Sequence, residues 1–282
     1  MGASGKDIAG GLPQGEKVEH AAALVKGTYQ YSGLEAKWYD LLDELSDFED
    51  VDFYRLIVQS HPGPVLDVGC GTGRLMLPLL RDERQVEGID CSESMLSICE
   101  RSLRDSGFEA RIGQADMRSF DLGERRFGSI LIPGYSIQML GTRDEWIASL
   151  RCCRDHLLPG GQVVVPIYLP WDYVWEEADE GGLELRRERR DEATGERLKA
   201  FQSWKLDRQA QRLELRNVYR RESGSGRLEE EQETLMRLIW RLPHEMMQLL
   251  EEAGFEEVAL YGDYGSEPPE EDSETIIYVA KT

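Results

Sequence analysis

From residue 64 onward, short apolar runs alternate with amphipathic stretches. Residues 64–68, 85–89, 110–115, 128–132 and 162–167 are apolar runs of strand length, while 74–81, 92–106 and 143–157 place apolar side chains at helical spacing. Strands separated by helices predict an open, mainly parallel sheet with helices on both faces. Beyond Trp171 the period drops to two. Residues 183–190, 197–206, 211–221 and 228–240 alternate apolar with charged positions and are separated by turn-forming stretches such as Ala193-Thr194-Gly195 and Ser223-Gly224-Ser225-Gly226, the grammar of an antiparallel meander inserted into the parallel fold. The chain then returns to a helix over 243–253, stopped by Gly254, and to two last strands over 256–262 and 274–280 that form a terminal hairpin. Ahead of the sheet, 21–31 and 33–45 carry helical periodicity and hold Tyr31, Trp38 and Tyr39. The expected organisation is a loose tail over 1–20, lid helices within 21–60, a core built from 61–170 and 241–282, and a cover over 171–240.

Composition narrows the class without naming it. A chain of 282 residues, 40% of them hydrophobic, can bury one sizeable core. Asp and Glu outnumber Lys and Arg by 54 to 33, a net charge of -21, which repels nucleic acid and anionic membranes but by itself names no substrate. The five cysteines include no C-x-x-C pair and no histidine stands at zinc spacing, so reduced thiols and no structural metal are expected. Without a charged-then-apolar leader, and with no apolar run near the roughly 18 residues of a membrane span, the chain reads as soluble and cytoplasmic.

Chemistry concentrates in V-L-D-V-G-C-G-T-G-R, residues 65–74. A dinucleotide fingerprint requires G-x-G-x-x-G, but the glycines fall at 69, 71 and 73 and position 74 is arginine. A P-loop requires G-K-[ST], and Arg74-Leu75 follows Gly73 instead. What remains is a strand ending in Asp67 and a tight glycine turn that opens a helix whose free N–H groups favour negative charge. A ligand carrying an ammonium, a carboxylate and a ribose satisfies each part, and S-adenosylmethionine is such a ligand. The run D-V-G-C-G-T-G resembles the first motif of class I S-adenosylmethionine-dependent methyltransferases, and residues from about 30 to 281 follow that family in order. The resemblance implies an α/β, doubly wound, Rossmann-like sheet of seven strands ending in the antiparallel hairpin, with S-adenosylmethionine as cofactor.

Further residues follow from the two readings together. Asp90 ends the second strand about 20 residues past the first glycine, where an acidic side chain accepts both ribose hydroxyls. After it, Cys91 continues the turn, Ser92 caps the next helix, and Met95 is either a polarizable wall for the adenine or plain core. In the family an acidic residue after the third strand binds the adenine amino group; Asp116 matches it, followed by Met117 in a D-M-R-x-F run. Gly69, Cys70, Gly71 and Gly73 of the glycine turn, Pro133 and Tyr39 complete the cofactor contacts the resemblance implies. It also brings the loop Pro133-Gly134-Tyr135-Ser136 to the methyl group, where Tyr135 and Ser136 either meet the reacting atoms or shape the crevice.

The D-M-R-x-F run, the Leu158-Pro159-Gly160-Gly161 turn and the meander are similar to aminosugar N,N-dimethyltransferases and glycine N-methyltransferases. They imply a small acceptor methylated at nitrogen, with oxygen or sulfur acceptors and a non-catalytic cofactor-binding subunit as the other readings; a homodimer is compatible with either. Tyr31 and Trp38 would belong to an aromatic lid, Tyr168 and Trp171 follow a strand's C-terminal end where such sheets place their sites, and Arg220 and Trp240 would line the space under the meander. His244, at a helix start, is the candidate base.

Overall fold

The computed structural model describes residues 29–42, 50–190, 192 and 194–282. The tail and most of the expected helix over 21–31 lie outside them, as do residues 43–45 of the expected helix over 33–45. Strand β1 (Val65–Val68) is buried at every position and pairs in parallel with β2 (Val86–Asp90) and β4 (Phe127–Leu131). β3 (Arg111–Gln114) joins β2, β5 (Leu157–Tyr168) joins β4, and β11 (Thr275–Lys281) and β10 (Glu257–Gly262) close the sheet antiparallel, giving the order β10-β11-β5-β4-β1-β2-β3. This is the seven-stranded Rossmann-like sheet the sequence predicts.

Side-chain alternation along these strands divides the interior into two layers. Leu66, Val68, Ile130 and Val163 face one layer, filled by Trp146 and Leu150 of α6 (Arg143–Asp155) and by Met246 and Leu250 of α8 (Pro243–Ala253). Val65, Leu131 and Val164 face the other, filled by α3 (Asp50–Gln59), α4 (Met76–Arg81) and α5 (Glu93–Asp105) through Tyr54, Met76 and Cys99.

Three local readings change. The expected helix over 33–45 is two short pieces, α1 (Gly33–Lys37) and α2 (Tyr39–Leu42), interrupted at Trp38. α6 stops two residues early, because His156 leaves the helix and buries its ring between the Cys152 carbonyl (2.8 Å) and the Leu122 N–H (3.2 Å). Leu157 then already pairs with Phe127, so the Pro-Gly-Gly turn lies inside β5.

After α7 (Trp171–Val174), strands β6 (Glu180–Arg190), β7 (Arg197–Asp207), β8 (Arg212–Glu222) and β9 (Leu228–Ile239) form a separate four-stranded antiparallel sheet, the expected meander. One end is rooted in the main core by the adjacent Leu206, Leu213 and Leu238. Buried Gln138 secures that end: its amide donates to the carbonyls of Tyr168 (3.0 Å) and Ile239 (3.3 Å) and accepts the Tyr168 N–H (2.7 Å).

Gly128 shows how closely the chain crosses itself in front of β4. A Cβ there would sit 2.1 Å from the Pro62 carbonyl oxygen, and backbone cannot retreat as a side chain does. Gly128→Ala is expected to destabilise the protein by about 3 kcal/mol in urea unfolding, at the upper end of overpacking costs; a midpoint equal to wild type would show that this crossing is not tight.

Candidate active site

The C-terminal ends of β1, β2 and β4 open onto a cleft of about 940 Å³, counted to its solvent-open mouth. Its floor is the glycine turn. Gly69 and Cys70 both donate to the Ile89 carbonyl (2.7 and 3.0 Å), and Gly69, Gly71 and Gly73 hold φ of 79°, 55° and 86°, a backbone that side-chain-bearing residues rarely adopt. A Cβ on Gly69 would approach Ser136 Oγ at 2.8 Å. Gly73 does not line the cleft; a Cβ on it would meet Cys99 Sγ at 2.9 Å, so its role is to let the turn pack on α5.

Three carboxylates line this space, each in a different electrostatic state. Asp67 is wholly buried, and among the described residues neither of its oxygens has a hydrogen-bond partner. Burial raises its pKa to about 7 against the pull of Arg74, and Asp90 and Asp50 add to the rise. A buried carboxylate without such partners is costly to ionise. Asp90 accepts the N–H of Gly71 at Oδ2 (2.9 Å) and of Ser92 at Oδ1 (2.7 Å); burial raises its pKa and these donors oppose the rise. Asp116 is held by Arg118 through both oxygens (Nε to Oδ1 3.0 Å, Nη2 to Oδ2 2.7 Å), and Arg118 also pairs with Glu145. The acidic residue expected at the adenine is therefore a clamped, oriented carboxylate.

Ser92 joins two structures at once. Its hydroxyl accepts the Met95 N–H (3.1 Å), capping α5, and donates to the Tyr31 carbonyl (2.6 Å), which fixes the lid to the cap. Met95 is 1% exposed and still lines the cleft, so it is both core and wall. Cys91, Met117 and Pro133 line the cleft as expected.

Tyr29, Tyr31 and Tyr39, from the segment expected to form a lid, line one side of the cleft with successive rings edge to face at 5.2 and 5.1 Å. Thr72 of the glycine turn donates to Asp40 beside Tyr39 (2.7 Å), and Arg74 makes a two-pronged pair with buried Asp50 at the start of α3 (2.7 Å each). The arginine that excludes a dinucleotide motif thus ties the glycine turn to the N-terminal segment. Tyr29, Thr72, Arg74 and Met139 are cleft residues that sequence reading missed.

Several expected residues lie elsewhere. Tyr135 has a left-handed backbone (φ 61°) that turns its hydroxyl to Thr275 (2.8 Å) and its ring to Tyr168 (5.5 Å), whereas Ser136 does line the cleft. Trp38 is buried with Leu34 and Leu198 under the meander, Trp240 is buried in the main core, and Trp171 stacks on Trp175 while donating to the Ser273 carbonyl (3.1 Å). Arg220 sits on the meander's other face, over Phe201 and paired with Glu231 (2.6 Å). His244 is exposed at the start of α8 and does not reach the cleft, because the helix spends its inward positions on Met246, Leu249 and Leu250.

The cleft lies at the carboxyl edge of the sheet, where open α/β folds bind their ligands, and it contains a buried Asp67 carboxylate with no hydrogen-bond partner among the described residues. Residues 65–161 match the methyltransferase-domain family. Over 158 residues the chain is 35% identical to the dTDP-3-amino-3,6-dideoxy-alpha-D-glucopyranose N,N-dimethyltransferase of Streptomyces fradiae, covering 54% of this chain and 59% of that protein. The chain spans less than two-thirds of the length of the curated relatives it matches. Its fold superposes on the CcbJ methyltransferase of Streptomyces caelestis with a TM-score of 0.71 at 24% identity, covering 88% of this chain and 95% of the other. The sugar N-methyltransferase KedS8 of a Streptoalloteichus species gives 0.69 at 20% identity, with 97% and 100% covered.

Proposed function

We propose that this chain transfers a methyl group from S-adenosylmethionine to a nitrogen atom of a small polar acceptor of the amino-sugar class. The observation that carries the cofactor half is Asp67, a wholly buried carboxylate with no partner among the described residues. The acceptor half is supported by the Streptomyces fradiae relative, whose own substrate is a 3-amino sugar joined to a nucleotide. When bound, S-adenosylmethionine supplies a methyl group on a positively charged sulfur, which leaves with the bonding pair.

The chain's own residues bind and orient. Asp67 would hold the ammonium, Asp90 the ribose hydroxyls through the lone pairs left by Gly71 and Ser92, and Met95 with Asp116 the adenine. Ser136 has its hydroxyl engaged by the Pro133 carbonyl (2.8 Å), so it shapes the wall near Met139. The tyrosine lid over this space excludes water from an in-line transfer.

The test is incubation of the purified chain with methyl-labelled S-adenosylmethionine and dTDP-3-amino-3,6-dideoxy-alpha-D-glucopyranose, with a panel of other amino sugars alongside, followed by mass spectrometry. Labelled methylamine products formed in step with S-adenosylhomocysteine are expected. Tight cofactor binding with no labelled amine would defeat the nitrogen reading.

A further inference from the structure

Methylation of an amine needs a neutral nitrogen, yet aliphatic amines arrive protonated near neutral pH. The three carboxylates of the cleft are committed to the cofactor, and no histidine is among its lining residues. One carboxylate outside the cleft is a single hydrogen bond away from it. Glu35 of α1 is 2% exposed, and its Oε1 accepts the hydroxyls of Tyr29, Tyr219 of β8 (3.0 Å) and Thr234 of β9 (3.1 Å), while Oε2 is buried with no partner among the described residues. Tyr29, the first of these donors, lines the cleft.

We infer that Tyr29 and Glu35 form a proton relay that strips the acceptor ammonium at the cleft. The inference rests on the amine-methylating reading above. The ammonium gives its proton to the Tyr29 hydroxyl oxygen as that phenol passes its own hydrogen to Glu35 Oε1. The phenol stays neutral, the carboxylate becomes a carboxylic acid, and the nitrogen recovers the lone pair that transfer requires. After product leaves, the proton returns to solvent by the same route.

The surroundings suit these roles. Burial raises the pKa of Glu35, and the hydroxyls of Tyr29, Tyr219 and Thr234 oppose the rise, so the carboxylate is a stronger base than an exposed one. Burial and the charge of Glu35 push the Tyr29 phenol upward, so it conducts a proton without ionising. The other groups packed around α1 leave this balance intact. From β9 come Gln232, which accepts the Leu34 N–H (2.5 Å), and Thr234; from β8 come Tyr219 and Arg221, the latter paired with Glu196 and Glu230. From the start of α5 come Cys91, Ser92 and exposed Glu93; from α2 comes Asp40, held by Thr72; Tyr31 faces Tyr29; and Lys37 of α1 itself is exposed.

Two measurements decide the matter. In the full chain without cofactor, the side-chain carboxyl carbon of Glu35, identified by its loss in Glu35→Gln, is followed by ¹³C NMR against pH. A midpoint above the ordinary glutamate value of about 4.3 is expected, moving higher in Tyr29→Phe, which removes a donor to the charged form; a midpoint at the ordinary value overturns the relay. In turnover, Glu35→Gln and Tyr29→Phe should lose about 100-fold in kcat/KM near pH 7 and recover as rising pH deprotonates the free amine. Glu35→Gln, whose side chain lies outside the cleft, should bind S-adenosylmethionine within about twofold of wild type. A deficit constant across pH means that Glu35 only braces the lid, and the relay falls while the methyltransferase reading stands. Wild-type protein that binds cofactor but methylates no amine takes both readings down.

Discussion

If Asp67 holds the ammonium as proposed, affinity of the wild-type chain for S-adenosylmethionine is expected to weaken about tenfold for each pH unit below 7, and in Asp67→Asn this slope should be gone. The reason is the pKa of about 7 that burial gives Asp67. The cofactor's ammonium needs the ionised carboxylate, so below that pH binding must expel a proton, at about 1.4 kcal/mol per unit. The sign for folding is opposite. The folded-state pKa lies above that of the unfolded chain, so between about pH 4 and 7 the native protein holds the proton more tightly and the empty protein loses stability as pH rises. At pH 8, Asp67→Asn should therefore melt above the empty wild type while binding cofactor on the order of 100-fold more weakly, the worth of one charged hydrogen-bonded contact. Calorimetric titrations from pH 5.5 to 8 read the slope directly; a flat profile in the wild type would mean that Asp67 never meets the ammonium.

Asp90→Ala should cost still more, because two losses coincide. It removes the acceptor for the ribose hydroxyls and leaves the N–H groups of Gly71 and Ser92 without their side-chain partner. Each buried group left unsatisfied costs about 1–3 kcal/mol. We expect cofactor affinity to fall on the order of 1000-fold, with thermal stability dropping in the same variant because the glycine turn loses its brace. Asp90→Asn, which keeps one acceptor oxygen, should lie between the two. Affinity unchanged by Asp90→Ala would sink the ribose assignment.

The floor of the cleft was legible in the sequence because it is local. Asp67, the glycine turn, Asp90, Met95 and Asp116 line the cleft at fixed offsets from strand ends, and strand ends are what short apolar runs announce. The meander was legible for the same reason, each strand repeating its own alternation within a few residues of the observed bounds. The lid was not. Tyr29 lies in a stretch with no regular element, and its hydroxyl finds Thr234 across 205 residues of chain. Glu35 looks in sequence like any acidic residue in a helical first turn; only the hydroxyls of Tyr219 and Thr234, arriving from β8 and β9, make it a buried group. His244 misled for the converse reason, since a helix start near a sheet's edge is a sound place for a base until the helix's rotation is known. Arg74 was read for what it prevents, and its partner, 24 residues earlier, was invisible without the fold.

The contacts of Ser92 with Tyr31 and of Thr72 with Asp40 carry one further meaning. Under the proposed function, donor and acceptor recognition would not be separable modules, since residues beside the cleft floor also hold the segment that would face the acceptor. Divergence of this lid toward a new acceptor would therefore perturb the grip on a cofactor that does not change. On that reading, this segment would be a place where specificity changes under a constraint set by the ligand common to every acceptor.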